Sequence, residues 1–163
     1  MATIRDLLQD DHIIEELQAT DKIGVIREFS RLLKSTSSIE NEEDLVRILL
    51  ERESLGSTGI GDGVAIPHAK MHLLPEMIVA FGRSSGGIDF ESLDEKPVYL
   101  FFLLVTPDDM PGDHLKALAR ISRVLKNPLI REKLRQATHQ RQIKKIIYDE
   151  DGKYPQPQDM QHK

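Results

Sequence analysis

With 163 residues, 39% of them hydrophobic, the chain is long enough for one packed core and short for two. It has no cysteine, which excludes disulfide scaffolds, thiolate metal sites and thiol nucleophiles and fits a reducing compartment. The net charge of −5 is interleaved and gives no basic face for nucleic acid; no segment reads as a secretory leader or reaches the roughly 20 apolar residues that span a bilayer, so no direct membrane insertion and a cytoplasmic location are expected.

Residues 4–8 predict a short helix and 13–17 an extended segment, after which Thr20-Asp21 supplies a helix cap. Over 22–34, Val25, Ile26, Phe29, Leu32 and Leu33 recur at helical spacing, the mark of an amphipathic helix. The polar run Ser35-Thr36-Ser37-Ser38 breaks it. A second helix is predicted over 41–53, with Leu45, Ile48 and Leu49 on one face. Arg52 stands seven residues after Leu45 and four after Ile48, so it projects along that buried side, an unusual place for an arginine.

Residues 56–63, Gly-Ser-Thr-Gly-Ile-Gly-Asp-Gly, hold four glycines in eight positions and predict a loop. Val64-Ala65-Ile66 reads as a short strand stopped by Pro67, which has no N–H to donate, so His68 is expected just past a strand end. Strands follow at 77–83 and 97–106, with turns at Gly86-Gly87 and Asp94-Glu95. The second of these strands is apolar on both faces, as a central strand covered on both sides would be. After an Asp/Pro/Gly loop, helical spacing resumes over 113–126, then over 128–137, opened by Pro128, and over 140–148. The basic run 131–145 reads as a solvated face. This order predicts an α/β fold, a mixed central sheet flanked by helices on both faces. Residues 1–150 are expected to form one domain, and the polar, proline-punctuated residues 151–163 a disordered tail.

Six histidines are present, the one side chain whose unperturbed charge changes near neutral pH. His12 and His162 lie in polar surroundings and are expected at the surface. His68 follows a proline at a strand end, behind a loop whose amides, in Ser57, Thr58, Gly59, Gly61, Asp62 and Gly63, can approach an anion closely. Those residues alone leave a structural histidine equally open. His114 shares a face with Leu118, Ile121 and Leu125 in the first turn of its helix, where the dipole disfavours an imidazolium and favours an anion. An interior histidine bonded to a carbonyl is the alternative there. His68 and His72 would share a face of a helix, but Pro67 and Pro75 predict irregular chain and His-Glu-x-x-His is absent, so no metal is expected. The full Gly-x-x-x-x-Gly-Lys-Ser/Thr loop and a Gly-x-Ser-x-Gly elbow are also absent, which argues against a nucleotide-binding domain and a serine hydrolase; no cofactor is expected.

The run Glu53-x6-Ile60-Gly61-x2-Val64-Ala65-Ile66-Pro67-His68-Ala69 resembles, in residue type and spacing, the signature of the type-2 IIA domains of the bacterial phosphoenolpyruvate-dependent phosphotransferase system, the fructose/mannitol class. The longer stretch from Arg52 to Lys70 is similar to the stand-alone nitrogen-regulatory branch, with Ala69 where that branch has glycine. The resemblance implies a phosphotransferase/anion-transport-protein-like fold and a phosphoryl carrier, with His68 as acceptor and His114 and Arg52 as the accompanying site residues. It also implies an HPr-like or NPr-like phosphocarrier protein upstream. Downstream it implies a regulatory target protein or, alternatively, the cysteine of a sugar-permease IIB domain; similarity to the nitrogen branch favours regulation.

Overall fold

The computed structural model describes residues 3–154. In chain order its elements are α1 (Ile4–Leu7), β1 (Leu8–Ile14), α2 (Lys22–Ser35), α3 (Glu42–Ser54), β2 (Gly59–Gly61), β3 (Val64–Ala65), β4 (His68–Met71), β5 (Ile78–Ile88), β6 (Val98–Pro107), α4 (Pro111–Lys126), α5 (Pro128–Gln136) and α6 (Gln140–Asp151). The sheet has the order β1-β5-β6-β3-β2, and β4 also pairs with β6. β5 and β6 are antiparallel, whereas β1 lies parallel to β5, and β3 and β4 lie parallel to β6.

The composition of β6 dictates the layers. Successive side chains of a strand point to opposite faces, and in Val98 to Val105 both sets are apolar. Leu100, Phe102 and Leu104 pack with Val79, Phe81, Ile121, Leu134 and Ile147, under α4, α5 and α6. Phe101, Leu103 and Val105 pack with Phe29, Leu33, Leu45 and Leu49, under α2 and α3. Each large apolar side chain removed from water contributes about 1.5–3 kcal/mol, so a strand of this composition requires helices on both faces. Those helices begin where polar residues precede the apolar spacing: Asp21 accepts from Gly24 N–H, Asn41 from Asp44 N–H and Asn127 from Leu129 N–H.

Several elements depart from the expectations above. β1 begins at Leu8 and buries His12, which is 2% exposed; its Nε2 lies 2.9 Å from Ser38 Oγ and 3.3 Å from Thr36 Oγ1, so the polar break after α2 is what covers this histidine. β5 runs through Gly86-Gly87 instead of turning there. Gly87, at φ +81°, takes up a register shift between Arg83 and Ile88, and pairing resumes at Ile88 with Val98. In the basic run, Arg131 donates to Leu125 O and Lys126 O at the end of α4, and the Arg135 guanidinium lies 3.7 Å from the centre of the Tyr99 ring.

Residues 151–154, assigned above to a disordered tail, belong to the fold. Asp151 closes α6 at 1% exposure, with Arg120 Nε 2.6 Å from its Oδ1 and Ile4 N–H donating to its Oδ2 at 2.9 Å. The Arg120 contact is an ion pair without hydrogen-bond alignment. Arg120 Nη2 donates to Tyr154 O at 3.1 Å. Residues 155–163, including His162, lie outside the described residues. The pair joins α4, α6 and α1, and a buried charge that loses its partner is destabilising. Asp151→Ala should therefore lower stability by about 3–5 kcal/mol, read from the urea midpoint; an unchanged midpoint would contradict the pairing.

Candidate functional site

β3 and β4 are two stretches of one extended segment laid along β6. Val64-Ala65 pairs with Leu100-Phe101, and His68 to Met71 with Leu104 to Pro107. Pro67, with no N–H, sits at the interruption between them. The Ile66 carbonyl, on the side away from β6, meets His68, whose Nδ1 lies 2.7 Å from it. A carbonyl only accepts, so Nδ1 carries the proton and Nε2 keeps its lone pair. His68 thus opens a strand, and the irregular chain expected after Pro67 is β4.

Arg52, near the C-terminus of α3, donates from Nη1 to Gly56 O at 2.8 Å and from Nε to His68 Nε2 at 3.3 Å. The adjacent Glu53 is buried and accepts from Thr58 N–H at 3.0 Å and from Thr58 Oγ1 at 2.9 Å, with Lys22 Nζ 3.6 Å away. These contacts fix the loop to the helix end. Across the site, the His114 ring lies with its centroid 5.4 Å from that of His68 at an interplanar angle of 57°. It is buried, and its Nδ1 is 2.8 Å from Thr106 Oγ1. Arg52, His68 and His114, read separately from the sequence, therefore converge.

The glycine-rich segment is a hairpin. Asp62 at φ 58° and Gly63 at φ 76° form the two-residue turn between β2 and β3, the paired positive dihedrals that Asp-Gly favours in tight hairpins. Its amides are largely engaged: Thr58 N–H with Glu53, Gly59 N–H with Ser57 Oγ at 3.0 Å and Asp62 N–H with Asp94 Oδ2 at 3.2 Å, while Ser57 Oγ donates to Phe90 O. The expectation that Ser57, Thr58, Gly59, Gly61, Asp62 and Gly63 offer a row of anion donors is corrected accordingly for Thr58, Gly59 and Asp62. A free set of donors lies elsewhere, at the start of α4. Its N-cap, Met110, makes no side-chain cap, so the amides of Gly112 and Asp113 lack a side-chain partner, in the same turn that carries His114.

The profile of the family described as "Phosphoenolpyruvate-dependent sugar phosphotransferase system, EIIA 2" matches residues 6–150. The chain belongs to this family. Among its relatives, a nitrogen regulatory protein of Bradyrhizobium diazoefficiens is 39% identical over 144 residues, spanning 88% of this chain and 94% of that protein. The fructose-specific EIIABC component of Bacillus subtilis is 36% identical over 148 residues, spanning 91% of this chain and 23% of that longer protein. The crystal structure of the nitrogen regulatory protein IIA-Ntr from Neisseria meningitidis superposes with a TM-score of 0.83 at 33% identity, covering 88% of this chain and 98% of that one. The chain is thus a phosphotransferase-system component of the IIA type.

Two further features bear on what this IIA domain can hold. Among the described residues there is no group of three or more His, Asp or Glu suited to a metal ion, and His72 is exposed with Nδ1 3.2 Å from Asp108 Oδ2. A groove of about 590 Å³ between α5 and α6, lined by Ile130, Ala137, Lys145 and Ile146, contains none of Arg52, His68 and His114. Among the described residues no helix is long and apolar enough to cross a membrane.

Both site imidazoles are held neutral. Burial pushes the His114 pKa down to about 4, assisted by the charges at His68 and Lys70. Burial also lowers His68 from its usual 6.5; the Ile66 carbonyl and Glu53 oppose this, and Arg52 and Lys70 add to it. Because the unfolded chain takes up these protons first as pH falls, stability should decline from about pH 6.5, and the His114 contribution should be exhausted near pH 4. A histidine NMR titration should place the His114 midpoint near 4, and His114→Gln should flatten the pH dependence of the unfolding midpoint between 6.5 and 4. A His114 midpoint near 6.5 would contradict this assignment.

Proposed function

We propose that the protein is a phosphoryl carrier that accepts PO₃ on Nε2 of His68 from the phosphohistidine of an HPr-like or NPr-like protein. The observation that carries this reading is the bonding of His68, with Nδ1–H fixed on the Ile66 carbonyl and the Nε2 lone pair beside Arg52. Nε2 attacks phosphorus as the donor's N–P bond breaks, and that electron pair returns to the donor imidazole. As the new N–P bond forms, positive charge spreads through the His68 ring and the Nδ1–H···O=C bond strengthens.

In a loose transition state the charge lies on three equatorial oxygens, so assistance is electrostatic. Arg52 turns its Nε–H from the lone pair to an incoming oxygen and offers its guanidinium fork. A neutral His114 donates an N–H from the opposite side, with the uncapped amides of α4 behind it.

Similarity to the nitrogen regulatory proteins supports a regulatory role, in which the roughly −2 charge of the phosphoryl group alters contacts with target proteins. The 36% identity to a fructose-specific EIIABC component supports a second reading, transfer to the thiolate of a IIB domain. A cytoplasmic location accords with either.

Incubation with phosphoenolpyruvate, the general upstream proteins and labelled phosphate should put acid-labile label on the wild-type chain and none on His68→Ala. Label persisting in that variant would overturn the assignment. Arg52→Gln should slow labelling by roughly 10²–10³, the effect of removing one preorganised donor. Discharge of the label onto a IIB cysteine would favour transport over regulation.

A further inference from the structure

We propose that Thr106 is a positioning residue that fixes the tautomer of His114, so that its Nε2–H is presented to the phosphoryl group; the purpose of this device rests on the reading of His68 as acceptor. Thr106 lies near the end of β6 and is 0% exposed, with Oγ1 2.8 Å from His114 Nδ1. Among the described residues this is the only hydrogen bond its hydroxyl makes.

A neutral imidazole carries one ring proton, so the nitrogen that bears it decides whether His114 offers the site a donor or a lone pair. Two arrangements fit the 2.8 Å contact. In one, His114 Nδ1–H donates to Oγ1, and the hydroxyl hydrogen of Thr106 is left without an acceptor in the core. In the other, the hydroxyl donates to Nδ1, every buried proton is paired, and the proton of the ring sits on Nε2. A buried donor without a partner is strongly disfavoured, so the second arrangement holds. Nε2 is not among the buried atoms that lack a partner, which is as required if its N–H faces the open side of the site.

The two histidines of the site are thereby set in opposite tautomers by opposite partners. The Ile66 carbonyl, which can only accept, places the His68 proton on Nδ1 and exposes a nucleophilic Nε2. The Thr106 hydroxyl, which can donate, places the His114 proton on Nε2 and makes it a hydrogen-bond donor. With the reverse tautomer, His114 would present a lone pair to the phosphoryl oxygens and repel them.

The test is a long-range ¹H–¹⁵N correlation spectrum of the unphosphorylated, histidine-labelled protein, recorded for wild type, Thr106→Val and Thr106→Ser. His114 should be the Nε2–H tautomer in wild type and Thr106→Ser. In Thr106→Val that preference should be lost while the His68 pattern stays, and phosphoryl transfer to His68 should slow about tenfold, the scale of one hydrogen-bond preference, and recover in Thr106→Ser. An Nδ1–H tautomer of His114 in wild type, or an unaltered tautomer in Thr106→Val, would overturn the proposal. Should the valine variant not fold, the wild-type spectrum still decides. The spectra require no phosphorylation, so they read the tautomer independently of the carrier reading, which falls instead if label never reaches His68.

Discussion

The site depends on one hydrogen bond, from His68 Nδ1–H to the carbonyl of Ile66. Ile66 donates its N–H to Thr58 O, on the side away from β6, and its carbonyl lies within reach of the next side chain but one. The bond to His68 sets the tautomer, aims the ring and leaves the Nε2 lone pair free, the atom proposed to take the phosphoryl group. The signature Val-Ala-Ile-Pro-His is therefore a local device: an apolar pair to anchor the segment on β6, a proline that accepts from Leu104 N–H but has no N–H to donate, and a histidine held by the carbonyl two residues before it.

Around this bond the charges are arranged so that cations approach the imidazoles without protonating them. Arg52 and Lys70 both disfavour a charged His68, and burial acts in the same direction. The resulting neutral pair of rings, flanked by a guanidinium and the start of a helix, has a deficit of negative charge that the proposed phosphoryl group would satisfy. Glu53 lies close in sequence but is turned away, its carboxylate engaged by Thr58 and Lys22, so it braces the hairpin.

Much of this was legible in the sequence because it follows from periodicity and single-residue constraints. The helical spacing of Leu45, Ile48 and Leu49 placed Arg52 on the inner side of α3, and that of Leu118, Ile121 and Leu125 placed His114 at the head of α4. The two-sided apolar run of β6 called for helices on both faces of the sheet. What was missed depends on long-range pairing. His12 looked exposed because its neighbours are polar, but the segment that buries it comes more than twenty residues later. The extension of β5 through Gly86-Gly87 required Val98 as a partner for Ile88. The hairpin at Asp62-Gly63 carried its own turn signal, which glycine density concealed. The Ile66 carbonyl and Thr106 have no side-chain chemistry that stands out until the histidines they hold are in place.

The most direct test of this account is the identity of the nitrogen that bears phosphorus. In the phosphorylated, ¹⁵N-histidine-labelled protein, nitrogen–phosphorus coupling should place the phosphoryl group on Nε2 of His68, with Nδ1 still protonated against the Ile66 carbonyl. Phosphorus on Nδ1 of His68, or on any other residue, would contradict it.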